Sequence, residues 1–256
     1  MRTSINWDTQ EPLSEAELEE TRGQREGLAW LAEQLEKAEV LEGPVITTEP
    51  SSAPISDEAF DLIVEFEVSS KAAYEAKYRK PIWPQAASGV TIGIGYDVGY
   101  VSKMQLHADW DGAIPAGMVT ALERGLGAHG AAAKPIAAEL GRSVDVPWEA
   151  AIKVHRQKVM PRWVGLVERA LPNTNQLTPD CRGALVSLTY NRGASFSTAG
   201  DRYKEMRAIK DHMSIGQFSH IPNDLRSMKR LWPTLRGLRI RRDREAMLFE
   251  RGLAVA

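Results

Sequence analysis

Residues 88–97 read SGVTIGIGYD, and this stretch decides the fold that the sequence predicts. In an extended chain, one face would carry apolar side chains, and the other would carry Thr91, Gly93, Gly95 and Asp97. A straight strand would hold Thr91 and Asp97 about 20 Å apart, at roughly 3.3 Å per residue. Glycine permits a turn between them, so we expect a β-hairpin whose bare face lets a ligand approach the backbone. The alternative is a hairpin in which Asp97 is only a turn residue.

A helix is predicted upstream of this stretch, from a cap at Ser56 to about Tyr78. Phe60, Ile63, Val64 and Glu67 occupy positions i, i+3, i+4 and i+7, which places Glu67 on the apolar face. Glu65 falls on the wet face. A carboxyl on an apolar face is desolvated, and desolvation favours the protonated form that a general acid needs. The alternative is that Glu67 only marks the helix end and reaches water.

The bulk composition indicates a globular protein without a metal or cofactor. The chain has 256 residues, of which 43% are hydrophobic and 26% charged. No apolar run is long enough to span a bilayer, and the N-terminus has no secretory signal. If the protein works outside the cytoplasm, another route is therefore expected to carry it there. Cys181 is the only cysteine and is predicted to be a buried, inert thiol. The histidines lack ligand-like spacing.

The charge is unevenly distributed along the chain. Residues 1–50 contain twelve acidic and four basic residues, a net charge of −8, whereas the whole chain carries −2 and its remainder therefore +6. A basic body suits an anionic polymer, either nucleic acid or bacterial cell wall. The arginines from Arg226 to Arg244 form a basic cluster, but Arg241, Arg242 and Glu245 lie at helical spacing, which indicates internal Arg–Glu pairing. No aromatic residues are interleaved to stack on bases, so nucleic acid is not expected as a partner.

The predicted organisation has an acidic helical segment (1–42), a linker (43–55) and one main domain (56–256). A capping box of Ser14 and Glu17 begins a helix over 13–40, which is expected to pack on the body or to dock a partner. Proline and hydroxyl residues mark the linker. Beyond the hairpin, helices are predicted at 102–109, 115–126, 131–140, 147–159, 161–170, 178–190, 200–212, 214–219, 222–228 and 237–251. Pro161 either separates two of them or kinks one longer helix, and Gly193 caps the helix that precedes it.

Three stretches together resemble the phage-type lysozymes of glycoside hydrolase family 24, over about residues 56–252. They are the helix with Glu67 and Tyr74, the TIGIG hairpin at 91–95, and two C-terminal signatures, ALVSLTYNRG at 184–193 and GLRIRRDRE at 237–245. Common members place a second acid about nine residues after the glutamate, where this chain has Ala76. The spacing is instead similar to the pesticin-like variant, in which the aspartate follows the hairpin threonine by six residues.

The resemblance implies an α+β, mostly α, lysozyme-like fold, with a small β-hairpin lobe and a larger helical lobe separated by a cleft. It assigns Glu67, Thr91 and Asp97 as catalytic, with Glu75 as the fallback second carboxylate. Gly93, Gly95 and Tyr96 would line the substrate site. Trp83, in an extended Pro81–Pro84 segment, would stack on a sugar or anchor its loop. Asn191 would line the cleft or act as a buried helix-end cap.

The implied reaction is hydrolysis of the β-1,4 bond between N-acetylmuramic acid and N-acetylglucosamine in peptidoglycan. The expected setting is an antibacterial effector that acts in the periplasm or at the cell wall of competitors, with an inhibitor (immunity) protein. Residues 1–42 would dock a secretion-machine component. Alternatives are a phage endolysin, a non-catalytic wall-binding module on the same fold, and a lytic transglycosylase that works with one glutamate.

Overall fold

A computed structural model describes residues 12–24, 26, 27, 30, 33, 49–85 and 87–255. The first elements are α1 (Glu15–Gly23), α2 (Asp57–Val68), α3 (Lys71–Lys77), β1 (Thr91–Ile92) and β2 (Tyr96–Asp97). Helices α4 (Lys103–Trp110), α5 (Ala116–Leu122), α6 (Ala133–Leu140), α7 (Trp148–Val154) and α8 (Met160–Ala170) follow. The last are α9 (Pro179–Arg192), α10 (Lys204–Ser214), α11 (Ile221–Ser227) and α12 (Arg236–Ala254). The coarse prediction of a mostly helical α+β fold is confirmed.

The core is organised around α9. Every residue from Asp180 to Arg192 is buried, and the helix packs against α12, α8 and α2. Thr178 caps its start by accepting a hydrogen bond from the Cys181 amide, and Gly193 ends it at φ 75°, as predicted. A helix that is buried on all sides needs neighbours on every side, so α9 fixes the positions of α2 and α12.

The hairpin turns where the glycines predict. β1 and β2 are antiparallel, with Thr91 opposite Asp97, and Gly93 and Gly95 have φ values of 57° and 65°. Ile82 exchanges two backbone hydrogen bonds of 2.9 Å with Thr91 and so extends this small sheet on its other side. The turn therefore brings together two residues that an extended chain would separate.

Two predicted helices are wrong in detail. The helix expected from Ser56 to about Tyr78 breaks at Ser69, where φ is 64°, and Ser70 then caps α3 by accepting from the Ala73 amide at 3.1 Å. Serine hydroxyls compete for backbone groups, which favours such a break. The helix expected over 214–219 is absent: Gly216 has φ 72°, and a 3₁₀ turn spans Phe218–His220.

Pro161 does not separate two helices. A π-helical segment, His155–Val159, joins α7 directly to α8, and Pro161 lies in the first turn of α8. Because proline has no N–H, the altered hydrogen-bond register of the π segment accommodates it within a continuous rod. None of the helices that the structure describes is both long and apolar enough to cross a membrane.

The described part of the N-terminal segment packs on the main body. The capping box of Ser14 and Glu17 forms as predicted, and α1 contacts α2 and α12. The single helix predicted over 13–40 is wrong in that α1 ends at Gly23, with Gln24 as its C-cap. Of the residues that follow, 25, 28, 29, 31, 32 and 34–40 lie outside the described part of the chain. In the predicted linker, Ser51 donates to the Pro161 carbonyl at 2.9 Å and Arg182 to the Pro54 carbonyl at 2.8 Å, so residues 49–55 are also held on the body.

The attachment of α1 is modest in energy. Leu18 is its one buried apolar residue, a contribution of about 2 kcal/mol. Glu17 pairs with Arg236 at 2.9 Å and Glu15 with Lys77 at 3.3 Å; these side chains are partly exposed, and such pairs contribute about 0–1 kcal/mol each. A nine-residue helix is too short to be stable alone. The docked position of α1 therefore depends on a small number of contacts.

Acid should weaken the docking of α1. Hydrogen bonds from Arg236 and Ser14 lower the pKa of Glu17 from 4.5 to about 2. A carboxyl with a lowered folded-state pKa stabilises the docked form above pH 4.5 and loses that contribution as the pH falls towards 2. We expect the Leu18 and Thr21 amide NMR signals to titrate in this range. Glu17→Gln should reduce the transition, leaving the contribution of Glu15, whose pKa, despite some burial, is also lowered by its contacts with Ser69 and Lys77. An unchanged titration in that variant would contradict the assignment.

Candidate active site

A cavity of about 820 Å³ lies between α1, the C-terminal end of α2 and the hairpin. Both Glu67 and Thr91 line it, together with Gly93, Gly95 and Trp83. Two of the predicted catalytic residues and three of the predicted substrate-binding residues therefore line the same cavity. Further lining comes from Val68, Lys77, Tyr78, Ile82, Pro84, Gln85 and Ser88.

Helical phase separates the two neighbouring glutamates of α2 as predicted. Glu67 is 7% exposed and faces the cavity. The side chain of Glu65 is 35% exposed and accepts a hydrogen bond from Arg244 Nη1 at 2.7 Å. Glu65 is therefore occupied by an ion pair with α12, whereas Glu67 is the acid that reaches the cavity from this helix.

The buried guanidinium of Arg241 lies beside Glu67, a contact that the sequence did not predict. Arg241 Nη1 lies 3.7 Å from Glu67 Oε1, and the guanidinium stacks 5.1 Å from the ring centre of Phe66. Arg241 in turn donates to the Ser187 carbonyl at 3.1 Å and contacts Glu245 Oε1 at 3.3 Å. The predicted Arg–Glu pairing within α12 is confirmed. The same arginine also places a positive charge beside Glu67 of α2.

The same cluster contains a second buried arginine. Arg242 donates to Glu245 Oε1 at 2.8 Å and to Asn191 Oδ1 at 3.3 Å, and Ser187 Oγ donates to Glu245 at 2.6 Å. Burial lowers the pKa of Arg242 to about 10, against the opposing effect of Glu245. We call Glu67, Ser187, Arg241, Arg242 and Glu245 the buried charge cluster. It joins α2, α9 and α12 beneath the cavity.

Asp97 is a brace behind Thr91. Its carboxylate oxygens accept from the Gly89 amide at 2.8 Å and the Gly99 amide at 2.9 Å, and the residue is 7% exposed. Thr91 Oγ1 donates to the Gly89 carbonyl at 3.3 Å. Among the described residues, the cavity lining includes Thr91 but does not include Asp97. The hairpin therefore places the predicted pair side by side, with the carboxylate directed at backbone amides.

Trp83 anchors its loop, which is one of the two predicted tasks, and it also lines the cavity. Its indole N–H donates to the Ser88 carbonyl at 3.0 Å, which anchors the Pro81–Pro84 loop to the start of the hairpin. The half-buried ring also lines the cavity, and Lys134 Nζ lies 5.9 Å from the ring centre. An anchored aromatic wall is rigid, and a rigid ring can stack on a sugar at little entropic cost.

Three further candidates lie outside the cavity lining. The Tyr96 hydroxyl donates to Asp109 at 2.8 Å, and Asp109 also holds Arg162 at 2.7 Å. Asn191 is 2% exposed and belongs with Arg242, which agrees with the alternative of a buried helix-end residue. Glu75 pairs with Arg79 at 3.1 Å on the outer side of α3. Each has a structural task that accounts for its polar group.

The opposite wall of the cavity is α1, which the sequence had assigned to a separate segment. Its lining residues are Ala16, Glu19, Glu20, Arg22, Gly23 and Gln24. Arg22 donates to the Tyr78 hydroxyl at 2.6 Å and to Ser69 Oγ at 2.9 Å. No motif or spacing in residues 1–42 points to this placement, because the contacts are made with residues distant in the chain.

The C-terminal basic cluster is largely neutralised. Arg226 pairs with Glu250 at 2.6 Å, Lys229 with Asp243 at 2.7 Å, and Arg230 with Asp201 at 2.6 Å. Such pairing leaves little unscreened charge on this face for an extended nucleic-acid footprint. Within the part of the chain that the structure covers, no group of three or more His, Cys, Asp and Glu residues is arranged to hold a metal ion.

Comparison with known families adds one match. A family model described as a domain of unknown function (DUF8812) matches residues 63–158, a stretch from α2 through the hairpin to the π segment. The matched stretch contains Glu67, Thr91 and Asp97 but ends before α9 and α12. No curated protein matches the chain.

Gly89 should be indispensable to the hairpin. A Cβ there would lie 2.3 Å from Asp97 Oδ1 and 2.8 Å from the Ala128 carbonyl oxygen. We expect Gly89→Ala to lower the free energy of unfolding by about 1–3 kcal/mol, because the clash displaces the brace. Urea denaturation would measure it. Gly117→Ala, in α5 with nothing within 4 Å of its Cβ, is the matched control and should be neutral or stabilising.

The buried charge cluster should be sensitive to loss of its cation. Arg241→Met keeps the apolar stem but removes the charge beside Glu67 and Glu245, and we expect a loss of about 3–5 kcal/mol in unfolding free energy. Arg226→Met removes an ion pair whose side chains are 32% and 48% exposed and should cost about 0–1 kcal/mol. Equal effects of the two substitutions, measured by urea denaturation, would contradict the importance of the cluster.

Proposed function

We propose that the protein is a peptidoglycan muramidase with a lysozyme-like fold, which hydrolyses the β-1,4 bond between N-acetylmuramic acid and N-acetylglucosamine. One observation carries the proposal: Glu67, a buried carboxyl from α2, and Thr91, from the hairpin, face one cavity. A helical body and a β-hairpin on either side of a cavity suit the lysozyme-like arrangement that the sequence resembles. Trp83 and the bare turn at Gly93 and Gly95 supply a surface for a sugar ring.

In this proposal Glu67 is the general acid. It donates a proton to the glycosidic oxygen as the bond from that oxygen to the anomeric carbon breaks, and water adds to the anomeric carbon and loses its proton to a base or to solvent. Thr91 positions the attacking water. Asp97 lies beside Thr91 in the sheet register and either assists that water or stabilises the positive charge that develops on the sugar.

Arg241 has a positioning role in this scheme. Its distance of 3.7 Å from Glu67 is close enough for electrostatic attraction and longer than a hydrogen bond, so it orients the carboxyl. A rigid acid needs a supporting shell, and the network through Ser187 and Glu245 supplies one.

A second candidate reaction is lytic transglycosylation. The observation that favours it is the engagement of both Asp97 oxygens by backbone amides, outside the cavity lining. A transglycosylase manages with one glutamate, because the sugar's own hydroxyl attacks the anomeric carbon and leaves an anhydro end. The two reactions differ by one water in product mass.

The proposed setting is an antibacterial effector that acts on peptidoglycan in the periplasm of competing cells, with an inhibitor protein in the producer. The alternative setting is a phage endolysin for host lysis. Expression directed to the periplasm should be toxic under either, whereas expression that leaves the protein in the cytoplasm should be tolerated. Only the effector setting requires a dedicated inhibitor.

Glu67→Gln should abolish cleavage of purified peptidoglycan. The amide cannot donate the acid proton, so we expect at least a 100-fold loss of rate, on the scale of general acid catalysis. Mass spectrometry of the products would report reducing ends for hydrolysis and anhydro ends for transglycosylation. Glu65→Gln, two residues earlier in α2 and outside the cavity lining, is the matched control and should keep most activity. Wild type that binds walls but releases no fragments would instead indicate a wall-binding module.

A further inference from the structure

The helix α1 spans the cavity that holds Glu67. At one side Glu17 pairs with Arg236 of α12 at 2.9 Å, and at the other Arg22 donates to the Tyr78 hydroxyl at 2.6 Å. Glu19 and Glu20 line the cavity between these anchors, and Gln24 lines it just beyond Arg22. The helix thus bridges from the helical body to the segment that leads into the hairpin, across the face from which Glu67 and Thr91 are reached.

The docked position is specified at close range. A Cβ on Gly237 would lie 1.9 Å from Thr21 Oγ1 and 3.2 Å from Thr21 Cβ, so with threonine at position 21 only glycine at 237 lets α12 receive α1 at this distance. Further along, Glu26 contacts the buried Arg192 at 3.3 Å, at the end of α9. Such fitted contacts define one docked arrangement of this segment.

The docked arrangement is incompatible with a polymer in the site. Glu67 and Thr91 are 7% and 6% exposed, and the cavity volume of about 820 Å³ is in the range that accommodates a single small ligand. A glycan strand needs a groove that continues past the cleaved bond in both directions. With α1 in place, its own residues occupy one side of that path.

Charge indicates how α1 competes with substrate. The first fifty residues carry a net charge of −8 against +6 for the rest, and peptidoglycan is also an anionic polymer. We propose that α1 is an autoinhibitory strap, an acidic segment that occupies the substrate path of the cleft and leaves it when peptidoglycan binds. This inference rests on the proposed function, since it names the regulation of the same site.

The anchors are suited to release. Only Leu18 and Thr21 are buried in α1, whereas most of α2 is buried, including Phe60, Ile63 and Phe66. The pairs of Glu15 and Glu17 with the body are partly exposed and therefore weakened by salt. Segments held by few buried contacts and exposed polar ones open most readily within a folded protein.

A reversible lock tests the strap. Thr21→Cys combined with Gly237→Cys places two thiols where the Cβ atoms are 3.2 Å apart, slightly below the usual disulfide range of about 3.5–4.5 Å. Oxidised glutathione would close the disulfide, and dithiothreitol would open it. We expect the oxidised form to cleave peptidoglycan at least ten-fold more slowly than the same sample after reduction. Equal rates would overturn the proposal and identify α1 as a permanent wall.

Two controls accompany the lock. Wild type should show no response to the oxidant, because Cys181 is its only cysteine and is 1% exposed. Glu17→Gln, which weakens the strap without new thiols, should cleave at least two-fold faster than wild type and keeps the test valid if the double variant does not fold. Arg226→Gln removes a comparably exposed ion pair far from α1 and should leave the rate unchanged.

A readout other than cleavage separates failure of the strap from failure of the proposed function. Binding to purified cell-wall sacculi, measured by sedimentation, should be weaker for the oxidised double variant than for the reduced one. Suppose that no form cleaves, but that the oxidised double variant binds sacculi more weakly than the reduced one. The muramidase proposal then fails, and the difference in binding supports the strap. If cleavage and binding are both indifferent to the lock, the strap fails whatever the reaction.

Discussion

The fold depends on the pairing of two buried arginines with two buried glutamates beneath the cavity. Arg241, Arg242 and Glu245 of α12 and Glu67 of α2 are each 7% exposed or less. Moving such charges out of water is strongly unfavourable unless each is paired and hydrogen-bonded. Ser187 joins the set from α9 through hydrogen bonds with Glu245 and Arg241, so the cluster ties α2, α9 and α12 to one another. That arrangement also fixes the direction of the candidate acid.

The opposite wall obeys a different constraint, which is backbone geometry. Asp97 ties Gly89 and Gly99 together through their amides, and the approach is possible only because neither glycine carries a side chain. At the turn, Gly93 packs against Trp110, which a Cβ would approach to 3.0 Å. The hairpin is consequently rigid although its strands are very short. Buried ion pairs hold the helix that carries Glu67, and close glycine contacts hold the hairpin that carries Thr91. The two residues therefore face one cavity without the support of a larger sheet.

Local patterns predict this architecture well where the deciding interaction is local. Helical phase distinguishes Glu67 from Glu65, and glycine content predicts the turn that pairs Thr91 with Asp97, because each depends on residues within one element. The break at Ser69 and the π segment before Pro161 are harder to predict from the sequence. At both places the serine hydroxyls or the proline ring oppose a strong helical periodicity. Contacts between distant segments leave no such trace. Arg241 beneath Glu67 and α1 across the cavity are therefore visible only in three dimensions.

The charge asymmetry of the chain takes on a different meaning once α1 is placed. As a sequence feature, an acidic leader before a basic body suggests a separate docking segment. In the structure, Glu15 and Glu17 meet Lys77 and Arg236 of the same molecule, so part of the attraction is satisfied internally. Under the proposed strap, a surface that binds its own acidic helix through partly exposed pairs would also suit another anionic chain, and the two would compete for it. The strength of the internal contacts would then set the concentration of polymer needed to open the site.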